Sequence, residues 1–249
     1  MRITIEAWRQ SDHDAAGRFE TYTVDDATPE MSLLEVLDRL NDHLVEQDEE
    51  PVAFDSDCRE GVCGACGIMV NGRPHGPVPN TPSCRQHLRH FPDAALLRLE
   101  PLRANAFPVV RDLVVDRSAL DRVIEAGGHV GMDAGQATDA DGTLVPHDSS
   151  ETALDFAACI GCGACVAACP NGAAHLFAGA KLVHLAELTY GRQERGRRAR
   201  AITGQMEHDF GPCSTYGECT EVCPAGIPLD AVAAVNREAL RARFRRKPD

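Results

Sequence analysis

Hydrophobic and polar positions alternate from the first residues of the chain, with Ile3, Ile5 and Ala7 set against Arg2, Thr4 and Glu6. A period of two marks a strand with one buried face. Residues 19–24 give a second short extended run after the polar stretch 12–17, and the two runs predict a hairpin. The period then changes. Ser32 and Glu35 stand at capping-box spacing, Met31 and Val36 flank them as a hydrophobic staple would, and Leu33, Leu37, Leu40 and Leu44 fall on one helical face. That stripe predicts a helix laid across the sheet. Residues 68–70 read as a short strand before Asn71-Gly72, a tight-turn signal. Residues 73–83, with five prolines and glycines among them, read as a loop, and Leu96, Leu97 and Leu99 supply a last strand before Pro101. The expected product is a small mixed sheet with one helix.

Beyond residues 101–108, where the boundary between two domains is expected, the pattern is less regular. Residues 111–116 carry Leu113, Val114 and Val115, and residues 118–126 predict a short helix ended by Gly127-Gly128. Residues 131–150 are rich in Gly, Asp, Thr and Ser without periodicity and read as a surface excursion. Residues 181–206 predict one or more helices around Leu182, Leu185, Leu188 and Ile202, and residues 230–244 a final helix. A length of 249 residues is more comfortable as two cores than as one.

Charge narrows the function. With 38 acidic and 25 basic residues the formal net charge is -13, which argues against a nucleic-acid partner. The strand-like start at Met1 leads us to expect no secretory leader. Residues 156–180 contain no Asp, Glu, Lys or Arg, yet four cysteines, four glycines, Pro170 and Asn171 interrupt them, so a membrane span is not expected there. Two basic stretches stand out against the acidic whole: five arginines in residues 192–200, and Arg241, Arg243, Arg245, Arg246 and Lys247 near the end. They fit either a surface for a partner or lipid headgroups, or solvated helix faces.

The eleven cysteines are grouped, and their spacing carries the chemistry. Cys58-x4-Cys63-x2-Cys66 with the distant Cys84 is the plant-type spacing for a [2Fe-2S] centre. A zinc site or a redox disulfide is the rival reading; Gly61 and Gly64, which let backbone amides approach sulfur, favour the cluster. Since the set is complete, His75, His87 and His90 are expected in surface or hydrogen-bonding roles.

Cys159-x2-Cys162-x2-Cys165-x3-Cys169-Pro170 is the bacterial ferredoxin run, whose fourth cysteine serves the other cluster of a pair. The second run is Cys213-x5-Cys219-x3-Cys223-Pro224. Exchange between the runs predicts a [4Fe-4S] cluster on Cys159, Cys162, Cys165 and Cys223, and a second centre on Cys169, Cys213 and Cys219. Ferredoxin spacing would place a further cysteine at 216, where the chain has Tyr216. Three thiolates predict [3Fe-4S]; the alternative is a [4Fe-4S] whose last iron takes water or a non-cysteine ligand. Grouping of this kind marks metal ligation in a reducing compartment rather than disulfides.

The combined motifs closely resemble the iron-sulfur subunit of succinate dehydrogenase and fumarate reductase. The resemblance covers nearly the whole chain and rests on Cys58-Arg-Glu-Gly-Val-Cys-Gly-Ala-Cys66, Arg111-Asp-Leu-Val-Val-Asp116 and the two later cysteine runs. It implies an α+β protein: an N-terminal β-grasp [2Fe-2S] ferredoxin domain over residues 1–104 and an α-helical dicluster ferredoxin domain over residues 105–249. It further implies a complex on the cytoplasmic face of a bacterial cell membrane. There a flavoprotein with covalent FAD interconverts succinate and fumarate, and a membrane anchor binds quinone and, in many members, haem b. The implied electron order is FAD, [2Fe-2S], [4Fe-4S], [3Fe-4S], quinone, with the N-terminal domain toward the flavoprotein.

Departures narrow the resemblance. Many ubiquinone-linked members carry tryptophans soon after the fourth cysteine of the first run and a histidine after the first cysteine of the second; here stand Asn171-Gly172-Ala173-Ala174 and Ser214. With Pro74-His75-Gly76-Pro77 in a longer interval before Cys84, this looks like the branch with a single di-haem cytochrome b anchor and menaquinone. No quinone-pocket residue carries over. The chain has no nucleotide motif and no dicarboxylate or acid-base constellation, so a partner must do the substrate chemistry. An adapter for another flavin-dependent dehydrogenase is the competing function; a purely structural role does not call for three centres.

Overall fold

The structure is a computed structural model that describes residues 1–131, 145–188 and 191–244. Its first layer is a five-stranded sheet: β1 (Ile3–Arg9), β2 (Arg18–Val24), β3 (Ile68–Val70), β4 (Arg73–Pro74) and β5 (Leu96–Pro101), in the order β2-β1-β5-β3-β4. β1 pairs antiparallel with β2, as the alternation requires, and parallel with β5. Ile3, Ile5 and Ala7 are fully buried beneath the helix α1 (Leu33–Glu46). The capping box forms as predicted: Ser32 N donates to Glu35 Oε2 at 2.6 Å, and Glu35 N donates to Ser32 Oγ at 3.3 Å. Leu34 and Val36 are buried beside the predicted stripe, so the helix presents a wider apolar face than the leucines alone imply. Asn71 and Gly72 both take positive φ, 52° and 77°, and fold β4 onto β3. The expected loop over residues 73–83 therefore begins as a strand.

The two halves interlock where the chain leaves the sheet. Leu102 and Phe107 pack into the second core, whereas Leu113 returns to the first. Beside it the Asp112 carboxylate accepts from Gln10 N and Ala53 N, each at 2.9 Å, and lies 3.3 Å from Arg9 Nε. The strands β6 (Val109–Arg111) and β7 (Val114–Val115) flank this return.

The second half is helical: α2 (Ser118–Val123), α3 (His147–Ala157), α4 (Ala164–Ala168), α5 (His175–Glu187), α6 (Arg192–Asp209), α7 (Glu218–Glu221) and α8 (Asp230–Arg243). A wider turn over Ile124–Gly128 ends α2 near the predicted glycines. The expected excursion over 131–150 is corrected at its end, because residues 147–150 already belong to α3; residues 132–144 lie outside the described ones. α3 buries only Ala153 and Phe156, too thin a stripe to show a period. α5 starts six residues earlier than expected and crosses α8 closely, since a Cβ on Gly179 would lie 2.0 Å from the Ala231 carbonyl oxygen.

Part of the arginine-rich stretch turns inward. Arg195 makes two 2.8 Å hydrogen bonds to the Glu238 carboxylate, and Arg200 donates to Ala242 O at 3.1 Å. Arg198, 5% exposed, donates to Gly127 O at 3.1 Å and Gly131 O at 2.8 Å. These guanidinium groups join α6 to α8 and to the turn after α2; Arg197, paired with Glu194, and Arg200 are themselves exposed. Arg245, Arg246 and Lys247 lie outside the described residues.

Candidate metal centres

The loop carrying Cys58, Cys63 and Cys66 lies at the edge of the first core, and Cys84 faces it from a short turn, Ser83–Arg85. Glu60 N donates to Cys58 Sγ at 3.3 Å and Ala65 N to Cys63 Sγ at 3.4 Å. Amide hydrogen bonds to sulfur stabilise the thiolate, the form that binds metal. The amides of Glu60 and Val62 hold the Cys58 thiol down at about 6. The neighbouring Cys84 thiol holds Cys66 down at about 7, while Cys84, donating to it, is raised. Cys58 and Cys66 are thus the thiols of this set that ionise most readily.

The three histidines near this loop make the expected kinds of contact. His75 is 2% exposed and accepts from Ser83 N at Nδ1, 3.2 Å, so its neutral ring carries the proton on Nε2. His87 Nδ1 lies 2.8 Å from Glu30 O, and His90 is exposed.

Two cavities in the helical half collect the remaining seven cysteines. One, of about 340 Å³, is lined by Cys159, Cys162, Cys165 and Cys223 with Phe177 and Ile227. The other, of about 370 Å³, is lined by Cys169, Cys213 and Cys219 with His175, Ser214 and Tyr216. The fourth cysteine of the first run thus faces the second cavity, and the last cysteine of the second run faces the first. Asn171 Nδ2 ties the runs together, donating to Pro212 O at 3.0 Å and Ser214 Oγ at 2.7 Å.

The electrostatics here are opposite to those of the first loop. Burial pushes the Cys162 thiol up to about 12 and raises Cys159, Cys165 and Cys219. Thiolates in such a site need a positively charged partner in place of their protons, which iron supplies. Ile227 N donates to Cys223 Sγ and Thr215 N to Cys213 Sγ, each at 3.4 Å, so amide dipoles also point at sulfur. Among the described residues no three metal-ligating side chains close on a single ion; the thiols instead line the walls of the cavities, a disposition that fits polynuclear groups.

Three residues here escaped sequence reasoning. His175 lines the third site with Nδ1 buried and, among the described residues, without a hydrogen-bond partner. Lys181 Nζ donates to Cys159 O at 3.3 Å, and Arg117 Nη1 donates to Gly64 O at 2.5 Å. None belongs to a cysteine motif, and only folding reveals its neighbours.

A sheet domain with an amide-cradled thiol loop, joined to helices around two thiol-lined cavities, defines an iron-sulfur electron-transfer protein. Residues 3–122 match the family model described as "2Fe-2S iron-sulfur cluster binding domain", and residues 158–227 match "4Fe-4S dicluster domain". The succinate dehydrogenase iron-sulfur subunit of Bacillus subtilis (strain 168) is 32% identical over 202 residues, covering 78% of this chain and 75% of the relative. The fumarate reductase iron-sulfur subunit of Haemophilus influenzae is 32% identical over 222 residues, with 83% and 79% covered. A chain of the solved Mycobacterium smegmatis Sdh1 complex in the apo form shares the fold, with a TM-score of 0.69, 22% identity and 96% of each chain covered. The chain belongs to the family of succinate dehydrogenase and fumarate reductase iron-sulfur subunits.

Proposed function

We propose that the chain is the electron-relay subunit of a succinate:quinone oxidoreductase, resident on the cytoplasmic face of the cell membrane through an anchor subunit. Cys58, Cys63, Cys66 and Cys84 hold [2Fe-2S]; Cys159, Cys162, Cys165 and Cys223 hold [4Fe-4S]; Cys169, Cys213 and Cys219 hold [3Fe-4S]. When bound, these clusters supply one-electron steps between a two-electron flavin and a membrane quinone. The single observation that carries the reading is the crossed lining of the two cavities, which matches the ligand exchange expected of a dicluster pair.

The partners are a flavoprotein with covalent FAD and a cytochrome b anchor with haem b, the quinone being menaquinone. Asn171-Gly172-Ala173-Ala174 and Ser214 support this branch. No helix among the described residues is long and apolar enough to cross a membrane; membrane attachment is assigned to the anchor. The division between domains is placed at residues 104 and 105, with Asp112 and Leu113 as a strap back to the first. Working in the reverse direction, as a fumarate reductase, is the second reading, favoured by relatives of that name.

The test is purification of the native complex with its flavin and haem content measured, followed by substitution. Cys84→Ser should remove the first centre and cut succinate-to-quinone turnover while the flavoprotein still binds dicarboxylate. Cys213→Ser should interrupt the quinone end and leave the flavin reducible by succinate. An assembled Cys213→Ser complex that lacks the third cluster yet reduces quinone at the normal rate contradicts the route.

A further inference from the structure

Where the two halves meet, the loop of the first centre lies directly on the loop of the second. Gly64 has a φ of +74°, and a Cβ there would stand 2.2 Å from the carbonyl oxygen of Ile160 and 3.1 Å from Cys162 N. A side chain is excluded both by the left-handed backbone and by the neighbouring loop. Into the same seam reaches Arg117, just before α2. Its Nη1 donates to Gly64 O at 2.5 Å and to Cys162 O at 3.3 Å. One guanidinium nitrogen thus binds a carbonyl from each cysteine loop, and its hydrogen bonds run to neutral carbonyls rather than to a carboxylate. The Cδ of Arg117 passes close to Gly163, lying 3.6 Å from where a Cβ on that residue would stand.

We propose that Arg117 is a positioning residue that locks the first and second cluster loops at a fixed separation and so sets electron passage between them. The proposal rests on the ligand sets given above for these two loops. Electron tunnelling falls steeply with distance, so a contact that fixes two loops against each other governs the rate without touching either reactant. The guanidinium cation also favours the more negative, reduced state of a nearby cluster, because net charge is one of the levers on cluster potential. Lys181 lines the same crevice as Arg117, Val62 and Cys63, but its hydrogen bond runs to the carbonyl of Cys159 in the second loop.

The experiment uses the whole complex with Arg117→Leu and, separately, Arg117→Lys. EPR first establishes that the clusters are present; their absence from the unsubstituted complex would overturn the ligand sets rather than the role of Arg117. In Arg117→Leu the expected result is full cluster content, a weaker magnetic interaction between the reduced first and second centres, a lower midpoint potential for the second, and several-fold slower re-oxidation of the first in freeze-quench measurements. In Arg117→Lys the potential should stay near that of the unsubstituted protein while the magnetic interaction weakens, since an ammonium keeps the charge but its nitrogen stands one bond short of the position from which Nη1 reaches both carbonyls. Unchanged interaction and transfer rate in Arg117→Leu overturn the proposal. Should that variant fail to assemble, an unchanged interaction in Arg117→Lys overturns it alone.

Discussion

The two halves hold their thiols in opposite ways. In the sheet domain the apolar core is built mainly from aliphatic side chains such as Ile3, Ile5, Leu33, Leu37, Leu97 and Leu99, with Cys66 and Cys84 buried at its edge and Cys63 exposed at the rim. Amides pull the Cys58 thiol down to about 6, which favours its thiolate at neutral pH. In the helical domain cysteines touch most of the core: Cys159 and Cys165 pack against both of its apolar clusters, Cys213 and Cys219 pack against one, and Cys223 is a member of that one. Burial raises Cys159, Cys162, Cys165 and Cys219, which makes bare thiolates costly there. We therefore predict that the sheet domain keeps its fold without its cluster, whereas the helical domain needs its clusters to finish folding.

Removing iron is the strongest way to break this contrast. Anaerobic chelation should strip amide protection from α5 and α8, which bracket the cavities, while β1 and β5 stay protected in hydrogen exchange. Equal loss in both halves would show that the sheet domain is not independent of metal. Tyr216→Cys sharpens the contrast inside the helical half. Tyr216 is 64% exposed at the rim of the third cavity, so its loss costs little packing, and the new thiol should convert [3Fe-4S] to a lower-potential [4Fe-4S]. Retention of an unchanged [3Fe-4S] EPR signal at full iron loading would count against the ligand map.

A smaller effect is expected at the ion pairs that replace apolar packing in the helical half. The Glu238 side chain is 2% exposed and faces Arg195 and Arg241. Burial opposes its ionisation, yet these guanidinium groups hold its carboxyl below the ordinary value. Its contribution is therefore complete above the ordinary carboxyl pKa and is lost as pH falls through the depressed one. Glu238→Ala strands Arg195 and should cost about 3–5 kcal/mol in denaturant unfolding of the helical half, leaving the sheet domain unchanged. Smallest is Ser32→Ala, which removes the cap of α1 and should cost about 1 kcal/mol, read in the sheet domain alone. A matching loss in the helical half would mean that the two unfold as one.

What the sequence discloses follows from the range of each interaction. Hairpin, capping box and cysteine runs depend on neighbours within a few residues, and Ile3 to Ala7, Ser32 with Glu35, and Cys159 to Cys169 are legible for that reason. Arg195 and Arg198 misread as surface because their partners, Glu238 and the carbonyls of Gly127 and Gly131, stand far away in the chain. α3 stays hidden because two buried residues make no period. His175 and Arg117 carry no motif, and the cavity and seam that give them meaning exist only in the folded chain.

The central claim is three distinct centres on eleven thiols, and iron and sulfide analysis combined with EPR on the anaerobically purified complex tests it most directly. One [3Fe-4S] signal in the oxidised protein, and one [2Fe-2S] and one [4Fe-4S] signal on reduction, are the predicted result. Two centres only, or a third centre that holds four irons in the unsubstituted chain, would contradict it.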